Sequence, residues 1–407
     1  MEQRENTFDL LSPLREAGGP EIVGGTGAVL REKDGRMLVD LNEMRVVLGQ
    51  KNEMFNAAMA EAFGGLTVQK NGTSPAKEKL LRYLDQSTGG RFQAAFLTSS
   101  GSEAVEWAVR LAKKMTGREE ILSFWNSIHG RTYLTASLSG LPKRKAGYGP
   151  LAPGVLLLPY PNCAHCPVGM QCGSCGFGCL ELAKQTYAAA SARRAAAVLV
   201  EPCQGAGIVL PPAGYLTRLQ AWAKSEGMLL IVDEIQSGMG RTGRMYRYEQ
   251  EGLEPDMLLL GKALGNGLHI AALLVRERPD AADLHALSGG AGDDPVACAA
   301  ACETFRQLEQ GLLAHVRQVG NVLNDGLQAL SCRPQILACR GAGLMAAVEF
   351  KQEAACVRVS EAVQVRGYLP GRMGTILYCK PPYVVAEEQI RGFLAVLEAA
   401  LEATESE

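Results

Sequence analysis

The sequence predicts an α/β fold, with a large domain built on a mostly parallel seven-stranded sheet and a smaller α+β domain formed by the N- and C-terminal segments. Short apolar runs lie between residues 92 and 275, and helical patterns separate several of them. Runs that are apolar throughout are typical of strands buried on both faces, as in a parallel sheet. The runs are FQAAFL, ILSF, VLLL, AAAVLV, MLLIV, MLLL and AALLV.

The clearest helical pattern begins at Ser102 and reads SEAVEWAVRLAKKMTG. Its apolar residues recur on one face, and Gly117 is the expected stop. Between Leu260 and Ala271 lie only ten residues, whereas a parallel crossover needs about a dozen or more. The last strand, residues 271–275, is therefore expected to run antiparallel to its predecessor.

The pattern divides the chain into three parts. Residues 1–60 resemble an arm that packs with the small domain, residues 61–300 form the large domain, and residues 301–407 form the C-terminal small domain. The stretch from Ala301 predicts one long helix or a broken pair. Two short strands (GLMAAVEF and GTILYC) and a last helix from Glu387 follow.

Composition excludes several classes of protein. The 407 residues are 47% hydrophobic, and the formal net charge is -2. A near-neutral chain without a long basic run gives no reason to expect nucleic acid or an anionic membrane as partner. The first twenty residues lack the apolar centre of a signal peptide, and no apolar run is long enough to span a bilayer. We therefore expect a soluble cytoplasmic protein.

Polar residues follow the predicted strands where each strand ends, which is where open α/β sheets bind ligands. Thr98–Ser102 is a small-residue turn that enters a helix, and a helix N-terminus binds phosphate; the alternative is an ordinary serine-capped turn. Asp233 is either a helix cap or the partner of a buried cation. Lys262 either reaches the surface or has its amine covalently used.

One cofactor satisfies all three features. Pyridoxal phosphate has an anionic phosphate, a pyridine nitrogen that works best protonated beside a carboxylate, and an aldehyde that condenses with lysine. The three features therefore predict a site for pyridoxal phosphate in the large domain.

Seven stretches resemble the class III aminotransferases, the fold type I group that includes 4-aminobutyrate and ornithine aminotransferases. They run in the family's order from residue 98 to 345, and DEIQSGMGRTG followed by GK is the most specific of them. The stretches are SSGSEAVEWAVRLAK, IHGRT, EPCQG, DEIQSGMGRTG, GKALGNG, DPVACAAA and RGAGLM.

The resemblance implies a role for each matching residue. Lys262 would form the Schiff base and move the proton, and Asp233 would keep the pyridine nitrogen protonated. Glu201 would lie on the substrate side, where it neutralises an arginine or orients the substrate. The remaining implied cofactor contacts are Gly101 and Ser102 at the phosphate, Ile128 and His129 at the ring, and Gln236 near the ring 3-hydroxyl.

The sequence departs from the family at the partner-subunit threonine that contacts the phosphate and at the aromatic residue that stacks on the ring. The threonine position is Gly290, with Ser288 as the candidate substitute, and the aromatic position is Ile128. An aliphatic side chain still packs on a ring through dispersion.

Two further departures concern the substrate. The loop Asp40–Gly49 is about two residues shorter than in relatives, and its Arg45 is a candidate carboxylate ligand, the alternative being a surface arginine. Tyr378 replaces the arginine that holds the α-carboxylate in many relatives. This change predicts a substrate whose reacting amine is remote from its carboxylate.

A cysteine-rich insertion lies at about residues 160–180. The pairs Cys163/Cys166 and Cys172/Cys175 have the Cys-x2-Cys spacing of a thiolate site for zinc or an iron–sulfur cluster. Some 4-aminobutyrate aminotransferases are similar in carrying a cysteine pair that binds a cluster at the dimer interface. The alternative is a reduced loop without metal.

The leading hypothesis is a pyridoxal-phosphate-dependent aminotransferase that acts on small-molecule amines and keto acids as a homodimer with the active site at the interface. Two alternatives stay open. An amino-acid racemase or epimerase needs the same Lys262 and Asp233, and a metal-dependent sensor or binding protein would keep the fold with impaired turnover.

Overall fold

The computed structural model describes residues 20–65, 73–280 and 293–405. Two positions in the second half of the chain are predicted to affect the phosphate site. These positions, Ser288 and Gly290, lie outside the described ranges.

The centre of the protein is a seven-stranded sheet in the order β4-β10-β9-β8-β7-β5-β6. Each of the seven predicted runs is one of its strands, and the mostly parallel α/β fold is confirmed. The strands are β4 (Ala94–Thr98), β5 (Glu120–Phe124), β6 (Val155–Leu158), β7 (Ala195–Val200), β8 (Leu229–Asp233), β9 (Met257–Leu260) and β10 (Ala271–Val275).

Strand β10 runs antiparallel to both of its neighbours, β9 and β4. Leu273 lies opposite Leu259 on one side and Phe96 on the other. The prediction for the last strand is thus confirmed, because the short glycine-rich connection from Leu260 allows the chain to turn back but not to cross over.

Both faces of the central strands are buried. Alternate residues of a strand point to opposite faces of the sheet. Val198, Leu230 and Leu258 belong to one hydrophobic cluster, whereas Leu199 and Ile231 belong to another. Burial on two faces explains why these strands are apolar throughout rather than alternating.

The helix predicted from Ser102 is α3, which spans Gly101–Thr116. Ser100 caps it by accepting a hydrogen bond from the backbone N–H of Glu103. Gly117 ends it in the left-handed conformation, with φ of 64°, which glycine adopts without steric cost. The helix therefore begins at the carboxyl end of β4 and packs its apolar face on the sheet.

Two four-stranded sheets flank the central one. The first, in the order β1-β2-β3-β13, joins both ends of the chain, because β13 pairs in parallel with β3. The second has the order β11-β12-β15-β14. The strands are β1 (Ile22–Thr26), β2 (Val29–Glu32), β3 (Met37–Asp40), β11 (Ile336–Ala342), β12 (Met345–Phe350), β13 (Tyr368–Leu369), β14 (Gly371–Met373) and β15 (Ile376–Cys379). The domain limits at residues 60 and 300 stay predictions.

The helices pack around these sheets. The stretch predicted as one long helix or a broken pair is a pair, interrupted at Gly311, whose φ is 116°. No helix in the described ranges is both long enough and apolar enough to cross a membrane. The helices are α1 (Glu53–Gly64), α2 (Pro75–Ser87), α3, α4 (Tyr133–Leu138), α5 (Gly178–Ala190), α6 (Tyr215–Ser225), α7 (Arg247–Gln250), α8 (Pro295–Gln307), α9 (Leu313–Ala329), α10 (Glu353–Val365) and α11 (Glu387–Glu405).

Candidate active site

The parallel strands bring their carboxyl ends to one edge of the central sheet. There Glu201 follows β7, Asp233 is the last residue of β8, and Lys262 lies two residues after β9. The charges of Asp233 and Glu201 both act on the Lys262 amine. The N-terminus of α3 begins at the same edge, since β4 ends at Thr98. The structure thus brings together the residues that the sequence placed at the strand ends.

Lys262 occupies a strained position. It begins a short 3-10 turn after β9, and its φ of 44° lies in the left-handed region, which costs a non-glycine residue roughly 1–2 kcal/mol. Burial lowers the pKa of its amine, and the nearby Asp233 and Glu201 carboxylates only partly offset this. An amine with a lowered pKa is unprotonated more often and is therefore a better nucleophile.

Asp233 is held in one orientation by two hydrogen bonds. Its Oδ2 lies 2.7 Å from Nδ1 of His129, and its Oδ1 accepts from the backbone N–H of Ile235 at 3.0 Å. Asp233 and His129 are both buried. Each carboxylate oxygen has two lone pairs. Asp233 can therefore accept a hydrogen bond from one more donor at the sheet edge.

Glu201 ties two loops together. Its Oε1 accepts from the backbone N–H of Ile128 at 2.8 Å, and its Oε2 accepts from that of Gly205 at 2.7 Å. Burial raises the pKa of this carboxyl group. The contacts show Glu201 as the residue that positions Ile128 after β5 and the loop after β7.

Gln236 lies between Glu201 and a buried lysine that the sequence did not single out. Its Nε2 is 3.4 Å from Oε2 of Glu201, and its Oε1 is 3.2 Å from Nζ of Lys380. Lys380 also donates to the carbonyl oxygen of Gly205 at 2.8 Å. The sequence signal for Lys380 is a charged residue directly between the apolar strand β15 and Pro381.

The N-terminus of α3 lies in a closely packed cradle. The Oγ of Ser102 accepts from the backbone N–H of Arg131 at 3.2 Å. Gly130, with φ of 150°, brings this loop so near that a Cβ atom would overlap the Ser102 Oγ. A Cβ atom on Gly101 would lie 2.8 Å from the Ile235 side chain. The close packing holds the helix N-terminus, an anion-binding element, beside Asp233 and Lys262.

The sequence profile of the family described as aminotransferase class-III matches residues 20–401. The chain belongs to the class III aminotransferases. Acetylornithine aminotransferase from Listeria monocytogenes is 32% identical over 389 residues, with 94% of each chain covered. Diaminobutyrate–2-oxoglutarate aminotransferase from Rhizobium meliloti is 31% identical, with 94% of this chain and 87% of the relative covered.

Solved aminotransferase structures share the fold. An omega transaminase variant from Pseudomonas jessenii superimposes with a TM-score of 0.89 at 26% identity, with 96% of this chain and 94% of the other covered. An amine transaminase from an uncultivated Pseudomonas species, solved with pyridoxal phosphate bound, has a TM-score of 0.89 at 25% identity, with 99% of both chains covered. The protein is thus an aminotransferase, and its family uses pyridoxal phosphate.

The residues at the sheet edge fit this cofactor. An anion-binding helix N-terminus, a fixed buried carboxylate and a lysine with a lowered pKa meet there. These are the three chemical requirements of the phosphate, the pyridine nitrogen and the aldehyde.

The metal centre predicted on Cys163, Cys166, Cys172 and Cys175 is not supported. No group of three or more His, Cys, Asp or Glu side chains within the described ranges is placed to hold a metal ion. The Sγ atoms of Cys163 and Cys172 lie 2.7 Å apart, whereas two thiolates on one tetrahedral zinc lie roughly 3.8 Å apart. The distance between the sulfur atoms of Cys163 and Cys172 therefore does not fit two ligands of one zinc ion.

Two arginines bear on the substrate side. Arg45 is exposed, and its Nε and backbone N–H both bind the Glu43 carboxylate. Arg131 is not among the residues predicted from the sequence. The charge of Arg131 lowers the pKa of Lys262 more than the charge of Arg45 does. The feature of the sequence that could have identified Arg131 is its position directly after the motif IHG.

Arg131 also lines a cavity of about 650 Å³ beside the active site. Arg144, another lining residue, acts electrostatically on the Tyr378 hydroxyl. Arg131 and Arg144 therefore give this cavity positive charge, whereas the arginine of many relatives is replaced by the neutral Tyr378. Its other charged or aromatic lining residues are Tyr133, Lys143, Lys145 and Tyr148.

The contact between Gly205 and Gln236 yields a test of the site. A Cβ atom on Gly205 would overlap the Gln236 amide, so Gly205→Ala is expected to displace Gln236 and to lower kcat/KM by about 10- to 100-fold. Gly64→Ala, at a position with open space around it, is the matched control. Steady-state kinetics and thermal unfolding should show lost activity in a folded protein, and unchanged activity of Gly205→Ala would contradict this account of the site.

Proposed function

We propose that the protein transfers an amino group between a primary amine and a keto acid with pyridoxal phosphate covalently held on Lys262. The convergence of Lys262, Asp233 and the α3 N-terminus at one sheet edge carries this proposal. The solved relative with pyridoxal phosphate bound, which matches 99% of the chain, supports it.

Each residue then has a defined task. When bound, the cofactor supplies an electron sink for the amine-bearing carbon of the substrate. Asp233, fixed by His129, keeps a proton on the pyridine nitrogen. A free Lys262 amine would accept and return the proton of the reacting carbon. Ile128, held by Glu201, would pack on the ring face through dispersion.

The remaining contacts position the cofactor. Gly101 and Ser102 would hold the phosphate at the α3 N-terminus, where the helix dipole favours an anion. Gln236 would contact the ring 3-hydroxyl. Ser288, the proposed substitute for the family's threonine, lies outside the described residues.

Lys262 provides the direct test of the cofactor assignment. Borohydride reduction followed by peptide mapping is expected to place the cofactor on Lys262, and Lys262→Ala is expected to lose several orders of magnitude in turnover, because it removes both the attachment point and the base. Lys224→Ala, on the exposed side of α6, is the control. A cofactor adduct on any other lysine would refute the assignment.

We infer that the preferred substrate carries its reacting amine far from its carboxylate. Tyr378 offers one neutral hydrogen bond where an arginine offers a charged, bidentate pair. The positive charge lies instead in the cavity beside the site, on Arg131 and Arg144. The names of the relatives agree, since both acetylornithine and diaminobutyrate carry a remote amine.

Arg131 is therefore expected to bind the carboxylate of the substrate. Arg131→Gln should raise KM about 10- to 100-fold for omega-amino acids, the cost of losing one hydrogen bond between charged groups, and should leave KM for a neutral primary amine unchanged. The exposed Arg358, changed to glutamine, is the control. If glutamate proves the best donor by a wide margin and Arg131→Gln does not weaken it, the carboxylate lies elsewhere and the inference fails.

We further propose a homodimer with the active site at the subunit interface. Large apolar side chains are exposed beside the basic cavity and on α1, which is typical of a surface that another chain covers. Tyr133 and Tyr148 beside the basic cavity are 60% and 72% exposed, and Met54 and Phe63 of α1 are 50% and 62% exposed. Light scattering is expected to give twice the chain mass of 43.5 kDa, and a single-chain mass at micromolar concentration would refute the dimer.

A further inference from the structure

Lys380 is a buried cation that forms no ion pair with any described residue. Its side chain is buried, with 4% of the residue exposed, and none of the ion pairs among the described residues includes it. A buried ammonium group is costly unless polar groups compensate it. A lysine that served packing alone would gain nothing from its charge, because a methionine fills a similar volume without that cost.

The ammonium group of Lys380 is directed at the active site. It donates to the carbonyl oxygen of Gly205 at 2.8 Å and to Oε1 of Gln236 at 3.2 Å, and it lies 5.1 Å from the ring centroid of Tyr378. Gly205 and Gln236 belong to the loops after β7 and β8. Lys380 thus joins the C-terminal segment to two of the strand-end loops.

These contacts select one orientation of the Gln236 amide. Its oxygen faces the Lys380 ammonium group, and its nitrogen faces the Glu201 carboxylate. The flipped amide would bring two donors together at Lys380 and two acceptors together at Glu201. The Lys380 charge therefore determines which end of Gln236 is presented to its surroundings.

The positive charge of Lys262 acts on Lys380, and the repulsion between two positive charges is mutual. Burial, and after it the positive charge of Lys262, lowers the pKa of Lys380 to about 8. The charged or titratable groups that act on Lys380 are Lys262, Cys203, Glu201 and Arg241. The strongest influences of charged groups on Lys262 are those of Asp233, Glu201, Arg131 and Arg45. Lys262 and Lys380 thus share the Glu201 carboxylate as a nearby anion.

We propose that Lys380 is a positioning residue of the active site, which holds the Gln236 amide in one orientation toward the cofactor and places a positive charge beside Lys262. This inference rests on the proposed attachment of the cofactor to Lys262. A nearby cation disfavours a further positive charge. Lys380 therefore makes the Lys262-bound group easier to deprotonate.

The test is a double-mutant cycle with Lys380→Met, Gln236→Met and the double variant, with Lys224→Met as the control. The readouts are the pH midpoint of the visible absorbance of the lysine-bound cofactor and the separate values of kcat and KM. Lys380→Met is expected to raise the absorbance midpoint by roughly half a unit to one unit. It should also lower kcat about tenfold or more with little change in KM.

The double-mutant cycle shows whether Lys380 affects kcat through Gln236 or independently of it. If Lys380 acts on kcat through Gln236, the double variant should lose no more than the worse single variant. Additive losses in kcat, or a midpoint and kcat in Lys380→Met equal to those of the wild type, would overturn the proposal. Lys380→Arg, which keeps the charge, should keep the wild-type midpoint.

Two controls keep the result interpretable. Thermal unfolding establishes that each variant is folded, and Lys380→Gln, whose amide can still donate to Gly205, replaces Lys380→Met if that variant does not fold. If the wild-type enzyme shows no visible band, the cofactor assignment itself is wrong. A normal wild-type band that titrates identically in the Lys380 variants contradicts the role of Lys380 alone.

Discussion

The active site depends on the buried carboxylate of Glu201. Its two oxygens accept hydrogen bonds from the backbone of Ile128 and Gly205 and lie beside the Gln236 amide. An unpaired carboxylate would be very costly in so buried a place, so the loops that supply these donors must come together. One buried charge thereby fixes the relative positions of the loops after β5, β7 and β8.

The same principle connects the site to the C-terminal part of the chain. Lys380 donates to Gly205 and Gln236, and the fully buried Arg241 donates to the carbonyl oxygens of Leu344 and Pro381. Each cation satisfies acceptors of a distant segment. The sheet that contains β12 and β15 is thus attached to the edge of the central sheet that bears the candidate site by buried polar contacts. The geometry of the site therefore depends on the C-terminal part of the chain.

Much of this architecture could be predicted because it is encoded locally. The seven strands are apolar runs buried on two faces, α3 has its cap at Ser100 and its stop at Gly117, and the short connection before Ala271 dictates an antiparallel strand. Asp233 could be singled out because it ends a buried strand, and Lys262 because it lies two residues after one. The metal centre could not be judged in this way, since cysteine spacing along the chain does not determine the distance between the sulfur atoms of Cys163 and Cys172.

The sequence by itself determined the class of fold and the residues at the strand ends, because hydrophobic periodicity and strand-end chemistry are properties of neighbouring residues. The family followed from the resemblance of its motifs, above all DEIQSGMGRTG followed by GK. Only the tertiary structure decided which charges meet. Lys380 lies 175 residues from Gly205 and 144 from Gln236, and Arg131 reaches the neighbourhood of Lys262 from another loop. Such contacts leave no local pattern, because a buried cation is compensated by whichever polar groups the folded chain brings within hydrogen-bonding distance.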